Sequence, residues 1–338
     1  DFGAGGSGTA WADVNTWFDG TAIATGGPVG GNGGLIETSG LAFLDASAAT
    51  IDASAPFGQP GTWLLDPPDL AGVAGGPGPG VDLGSTGTNP IEYSPNAAPI
   101  IGTSQITDGT IEQNLNAGTS VTLTATEDIT VQAPIDASPT GNTTLRLEAG
   151  SDITVSQNIT FSAMDNAVEL VAGGNININA DIVADMTGTV DVQADTTGAS
   201  ATVALLTGRN LDTNGGDVTL ASTMGGVELQ TISSISTNGG EFSVNADVDF
   251  SMVGASVNTA GGGVEVLTRS GIVVSASTLQ AGVGNVVLNG DRDNAGGGQV
   301  LMESASLVQT TTGTIDIDGE GLAGGGTQGA GVTVDAST

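Results

Sequence analysis

From about Thr119 onward, apolar and polar residues alternate in short runs that return at a steady pace. SVTLTA, TTLRLEAG, AVELVAGG, TVDVQAD, DVTLAST, EFSVNAD, GVEVLTR, NVVLNGD and TIDIDGE align on Val121, Leu145, Val168, Val190, Val218, Phe242, Val264, Val286 and Ile315. The steps between them are 24, 23, 22, 28, 24, 22, 22 and 29 residues. Alternation with a period of two marks a strand with one buried face, and a repeat in the twenties marks a solenoid.

Every row holds a second strand, such as DITVQ, DITVS, NININ, GVELQ, GIVVS, QVLME and GVTVD. Most rows add a shorter third piece, seen as PIDAS, NITFS, DIVAD, NLDTN, SISTN, SVNTA, TLQAG and SLVQT. Three short strands per coil of about 22–24 residues predict an all-β, three-faced parallel β-helix. Each coil stacks on the last at about 4.8 Å, so like side chains form ladders inside the tube. NGG at 214–216 and 238–240 is suited to corners, because Asn and Gly accept positive φ. The two long steps fall where TTGAS (196–200) and DRDNAGGG (291–298) intervene and read as loops on an unchanged coil. No sustained i, i+3, i+4 apolar pattern exists, and glycines recur throughout, so almost no α-helix is expected.

The first hundred residues differ in texture. Seven of the eleven aromatics, Phe2, Trp11, Trp17, Phe18, Phe43, Phe57 and Trp63, lie before residue 64. The expected organisation is therefore aromatic-richer coils over 1–70, a Pro/Gly-rich loop or hinge over 71–100, and regular coils over 101–338. Trp11 and Trp17 sit at alternating positions beside Ala and Asp, which favours interior stacking or end-capping over a sugar-stacking surface. In GQPGTWLLDPPDL, Trp63 and one of Leu64 and Leu65 are expected to turn inward while Asp66 faces out or caps the corner.

Charge narrows the partners. Thirty-seven acidic residues face four arginines, for a formal net charge of −33. Such a surface repels nucleic-acid phosphate and anionic headgroups, so neither nucleic acid nor membrane insertion is expected. Cysteine is absent, and no run of 18 apolar residues exists to span a membrane. The N-terminal DFGAGGSGTAWAD lacks a basic and an apolar signal region, so an exported chain beginning this way would already have lost its leader.

Catalytic resources are few. Histidine and cysteine are both absent, which removes the common triads, thiol nucleophiles and zinc sites. The remaining acid pairs are too numerous to single out a glycosidase pair, and no enzyme is expected. Asp316, Asp318 and Glu320 in TIDIDGEG echo the start of a calcium loop but lack the rest of its spacing. Alternation with Ile315 and Ile317 equally makes them the outer face of a strand. Asp291 and Asp293 with Asn294 form a second weak calcium candidate, in which Arg292 neutralises part of the charge. The glycine runs GGNGG and GAGGSG are turn material, since no Lys-Ser/Thr or helix follows them.

One resemblance is carried by spaced motifs in order: Trp11-Ala12-Asp13; Gly33, Gly34, Glu37, Thr38, Ser39 and Gly40; Asp52; and Trp63-Leu64-Leu65-Asp66-Pro67. Together with LNAGTSVTLTATEDITVQAPI, these resemble a segment of bacterial filamentous-haemagglutinin-like adhesins, the exoproteins of two-partner secretion. The resemblance extends to about Ala180. It implies a right-handed β-helix, export by an outer-membrane partner, and a place at the cell surface or in the extracellular matrix. The family's N-terminal secretion domain is not seen in this sequence, so an internal or processed piece of a longer product is expected. Two functions follow as expectations: a non-catalytic, rigid, acidic shaft of a surface adhesin whose host-cell, neighbour-cell or glycan receptor is unspecified, or a subunit that self-associates end to end into filaments.

Overall fold

The computed structural model describes residues 2–73, 104–163, 165–185, 187–194, 198, 200–294, 297–320 and 332–334. The fold is all-β, a parallel β-solenoid of about 11 turns with three strands per coil and one short helix. Two compact units make up the chain, Asp1–Leu145 and Arg146–Thr338. The insertion expected over 71–100 lies, beyond Val73, outside the described residues, as does most of the 196–200 loop.

In the second unit the column aligned from sequence is the column the backbone makes. Val168, Val190, Val218, Phe242, Val264, Val286 and Ile315 are successive partners in parallel register. A second face stacks Ile153, Ile176, Val203, Val227, Phe250, Ile272 and Val300. The third stacks Ile159, Ile182, Leu211, Ile235, Val257, Leu279 and Val308. Nearly all of these inward side chains are sealed from water. Burying each Val, Leu or Ile contributes about 1.5–3 kcal/mol, so the tube is held by many small, equivalent terms.

The corners leading back to the first face repeat as well. Thr213, Thr237 and Thr259 are buried, and each donates its hydroxyl to the carbonyl of the glycine three residues on, Gly216, Gly240 and Gly262. Asn214 and Asn238 adopt φ of 46° and 47°, as the NGG corners require. The closing glycine is a steric necessity: a Cβ on Gly240 would lie 2.0 Å from the Gly216 carbonyl oxygen, and one on Gly262 1.8 Å from that of Gly240.

The first unit follows the same plan with one substitution. Its first face stacks Ser7–Ala12, Leu35–Gly40, Thr62–Asp66 and Ser120–Ala125 in parallel. On its second face, Ser104–Thr107 lies between Phe43–Asp45 and Leu70–Val73, out of chain order.

On the third face the helix Asp108–Asn116 stands between Thr50–Asp52 and Ile135–Ala137. Polar side chains of the helix, with Thr119 just beyond its end, take over the work of a strand. Asn114 Oδ1 accepts from the Ile51 N–H at 2.6 Å and Thr119 Oγ1 from the Ala53 N–H at 2.9 Å. On the other side Glu112 Oε1 accepts from the Asp136 N–H at 2.8 Å and Asn116 Oδ1 from the Ser138 N–H at 2.6 Å. Ile111 and Leu115 fill the core, and these four backbone N–H groups are satisfied without a strand between them.

Candidate functional site

The aromatic N-terminal coils divide by face. Trp63 and Leu65 are fully buried, Leu64 is half-buried and Asp66 is exposed, the alternation anticipated for that block. Of the two expectations for Trp11 and Trp17, interior stacking or end-capping, interior stacking does not hold: they are 56% and 37% exposed. The cause is local, because Ala10, Ala12 and Thr16 take the inward positions of their strands and send the indoles outward. Trp17 packs against Phe43, with ring centroids 6.0 Å apart.

An open groove of about 550 Å³ runs along one corner of this unit, over Gly5, Gly6, Gly33, Gly34 and Gly61, with Asn32 and Gln59 at its rim. Stacking accounts for its glycines: a Cβ on Gly34 would meet the Gly6 carbonyl oxygen at 1.8 Å, and one on Gly61 that of Gly34 at 2.1 Å. The Gln59 N–H donates to Asn32 Oδ1 at 3.0 Å. Among the described residues no charged side chain lines this groove.

The acidic cation candidates resolve differently. Asp316 and Asp318 lie on the strand Ile315–Asp318, exposed on its outer side. Glu320 bonds through its backbone to Gly298 and Gly297. Among the described residues no group of three acidic side chains is arranged to hold a metal ion. At the second candidate the partners are arginines: Arg269 pairs with Asp293 and Asp247, and Arg292 with Asp247, each at 3.0 Å. Asp291 is buried, and its N–H donates to Asn289 Oδ1 at 2.9 Å. This knot of ion pairs pins the 291–294 turn against its neighbouring coils.

A second charge cluster surrounds Arg146, which bonds Glu148 at 3.0 Å and Glu169 at 2.8 Å. Asp191 stands opposite Glu169 one coil on. Partial desolvation against the sheet raises the Asp191 carboxyl above its ordinary value, Glu169 adds to the rise, and Arg146 offsets part of it. Glu112 on the helix is also raised, first by desolvation and then by Asp108 and Asp136, against the Asp136 backbone bond that favours its charge.

Among the described residues no helix is long and apolar enough to cross a membrane. No family model matches the chain, and no curated protein sequence is significantly similar to it.

Proposed function

We propose that this chain is a non-catalytic structural segment of a bacterial surface adhesin, a rigid acidic β-solenoid shaft that holds a binding region away from the cell. The observation that carries this reading is the unbroken register of the second unit. There one inward residue stacks on its counterpart through successive coils, so the repeat supplies length rather than a single site. The ordered motifs from Trp11 to Pro67 support the filamentous-haemagglutinin-like assignment, and with it export by an outer-membrane partner and an extracellular location. The acid excess keeps such a β-rich surface soluble and apart from anionic partners.

Binding assays of the 338-residue chain against a neutral and acidic glycan panel and against cultured host cells test the passive role. The expected result is no strong specific binding. Saturable, high-affinity binding contradicts it, and filaments in electron micrographs of the purified chain would favour the end-to-end fibre reading instead.

A further inference from the structure

We infer that the third face of the second unit is where two copies of this chain pack side by side. The charge distribution points there. Residues 230–240, 250–264, 271–290 and 304–315 contain no Asp, Glu, Lys or Arg, in a chain of net charge −33. Those stretches hold the third-face strands of four consecutive coils, Ser234–Ser236, Ser256–Asn258, Thr278–Gln280 and Leu307–Gln309, together with the corners on both sides.

Register stacks the outward side chains in two columns, Ser234, Ser256 and Thr278 in one and Ser236, Asn258 and Gln280 in the other. Each of these side chains both donates and accepts hydrogen bonds, so the surface complements itself, as a two-fold contact requires.

An independent feature falls in the same place. Among the described residues of the second unit seven large apolar side chains are exposed: Met224, Ile232, Val248, Val253, Val283, Leu307 and Ile315. Leu307 stands on the neutral face, Ile232 and Val283 lie in turns that border it, and Val253 ends the second-face strand Asp249–Val253 just before the corner that leads to it. Depletion of charge with exposed apolar groups is the composition of an interface centre. A second copy is the occupant this pattern selects, because copies carrying the same large negative charge repel across charged faces and lose least by meeting where charge is missing.

Four coils span only about 19 Å along the axis at roughly 4.8 Å each. The contact is therefore smaller than the roughly 800 Å² per partner of a stable complex. It is suited to weak lateral association of copies crowded on one surface.

The chain has no cysteine, so a single introduced thiol reports the contact cleanly. Ser256→Cys places the thiol on the neutral face, and Ser251→Cys places it in the same coil on the second face, opposite Glu228. Under mild oxidation, with folding checked by circular dichroism, Ser256→Cys is expected to form disulfide-linked dimers at least about tenfold faster than Ser251→Cys. Adding Asn258→Asp and Gln280→Glu should abolish that ratio, and the same two substitutions in the cysteine-free chain should weaken its self-association in sedimentation equilibrium. Equal rates at the two positions, or self-association unaffected by the added charges, would overturn the inference while leaving the shaft reading intact.

Discussion

The Trp63 indole N–H donates to the Thr38 hydroxyl at 3.1 Å across adjacent coils of the first unit, and both side chains are sealed from water. Register places Trp63 between Ile36 and Val121 in the inward column, so its ring fills the tube while its one polar atom is satisfied one coil away. This pair explains how a tryptophan, with a polar atom to satisfy, is accommodated in a core otherwise built from aliphatic residues and a few phenylalanines.

Trp63→Ala is expected to lower stability by about 3–5 kcal/mol through the cavity it leaves. Thr38→Val keeps the volume but leaves the indole N–H without its acceptor, at a cost of about 1–3 kcal/mol. Urea denaturation followed by far-ultraviolet circular dichroism measures both. A Thr38→Val variant as stable as the parent chain would mean that the hydrogen bond contributes nothing.

The corner at Ala260 repeats those at Asn214 and Asn238 with the wrong residue for its conformation. Ala260 sits at φ 52°, in the left-handed region that asparagine tolerates far better. Asn238 already donates its amide to Asn214 Oδ1 at 2.6 Å, so a third asparagine would extend the ladder. Ala260→Asn should therefore stabilise the chain by about 0.5–1 kcal/mol, visible as a higher midpoint in urea at unchanged slope.

The helix Asp108–Asn116 shows what pattern-reading misses. Its buried face is Thr110, Ile111, Asn114 and Leu115, half of it polar, so no sustained apolar helical stripe announces it. The local signals were present but short: Thr107 accepts from the Thr110 N–H as an N-cap, and Gly118 follows at φ 87°. By contrast, the column from Val168 to Ile315 was legible because one rule, inward aliphatic at every second residue, repeats in every coil. Trp11 and Trp17 turn outward because Ala10, Ala12 and Thr16 hold the inward phase of their strands, and alternation beside small residues does not by itself say which phase faces the tube.

Asn114 is the helix residue on which the neighbouring strand depends. Asn114→Ala would strip the Ile51 N–H of its acceptor and is expected to cost about 1–3 kcal/mol. Hydrogen exchange gives a local readout: the Ile51 amide should lose protection by more than the global change in stability explains. Unchanged protection there would contradict the role assigned to the helix.

Asp191 gives a pH dependence with a defined sign. Its carboxyl is raised in the folded chain, so the folded state holds this proton more tightly than the unfolded state. Its penalty is full above the raised value and vanishes as pH falls below the ordinary carboxylate range. The side chain remains in contact with solvent, which keeps the effect modest. Asp191→Asn should raise Tm at pH 7, and the gain should fade on acidification. A gain that grows toward acid pH would reverse the assignment.

The most direct test of a repeating spacer is to remove one repeat. Excising residues 168–189 joins Ala167 to Val190, which stands in register with Val168, and brings Asp191 to the place of Glu169 beside Arg146. Spin labels on Thr154→Cys and Ser251→Cys report the spacing, since these residues lie in one outward column with Asn177, Ala204 and Glu228 between them. The shortened chain should unfold cooperatively, with the distance between the two labelled backbone sites falling from about 19 Å to about 14 Å at roughly 4.8 Å per coil. A chain that no longer folds, or an unchanged distance, would contradict a function that resides in the stacked repeat.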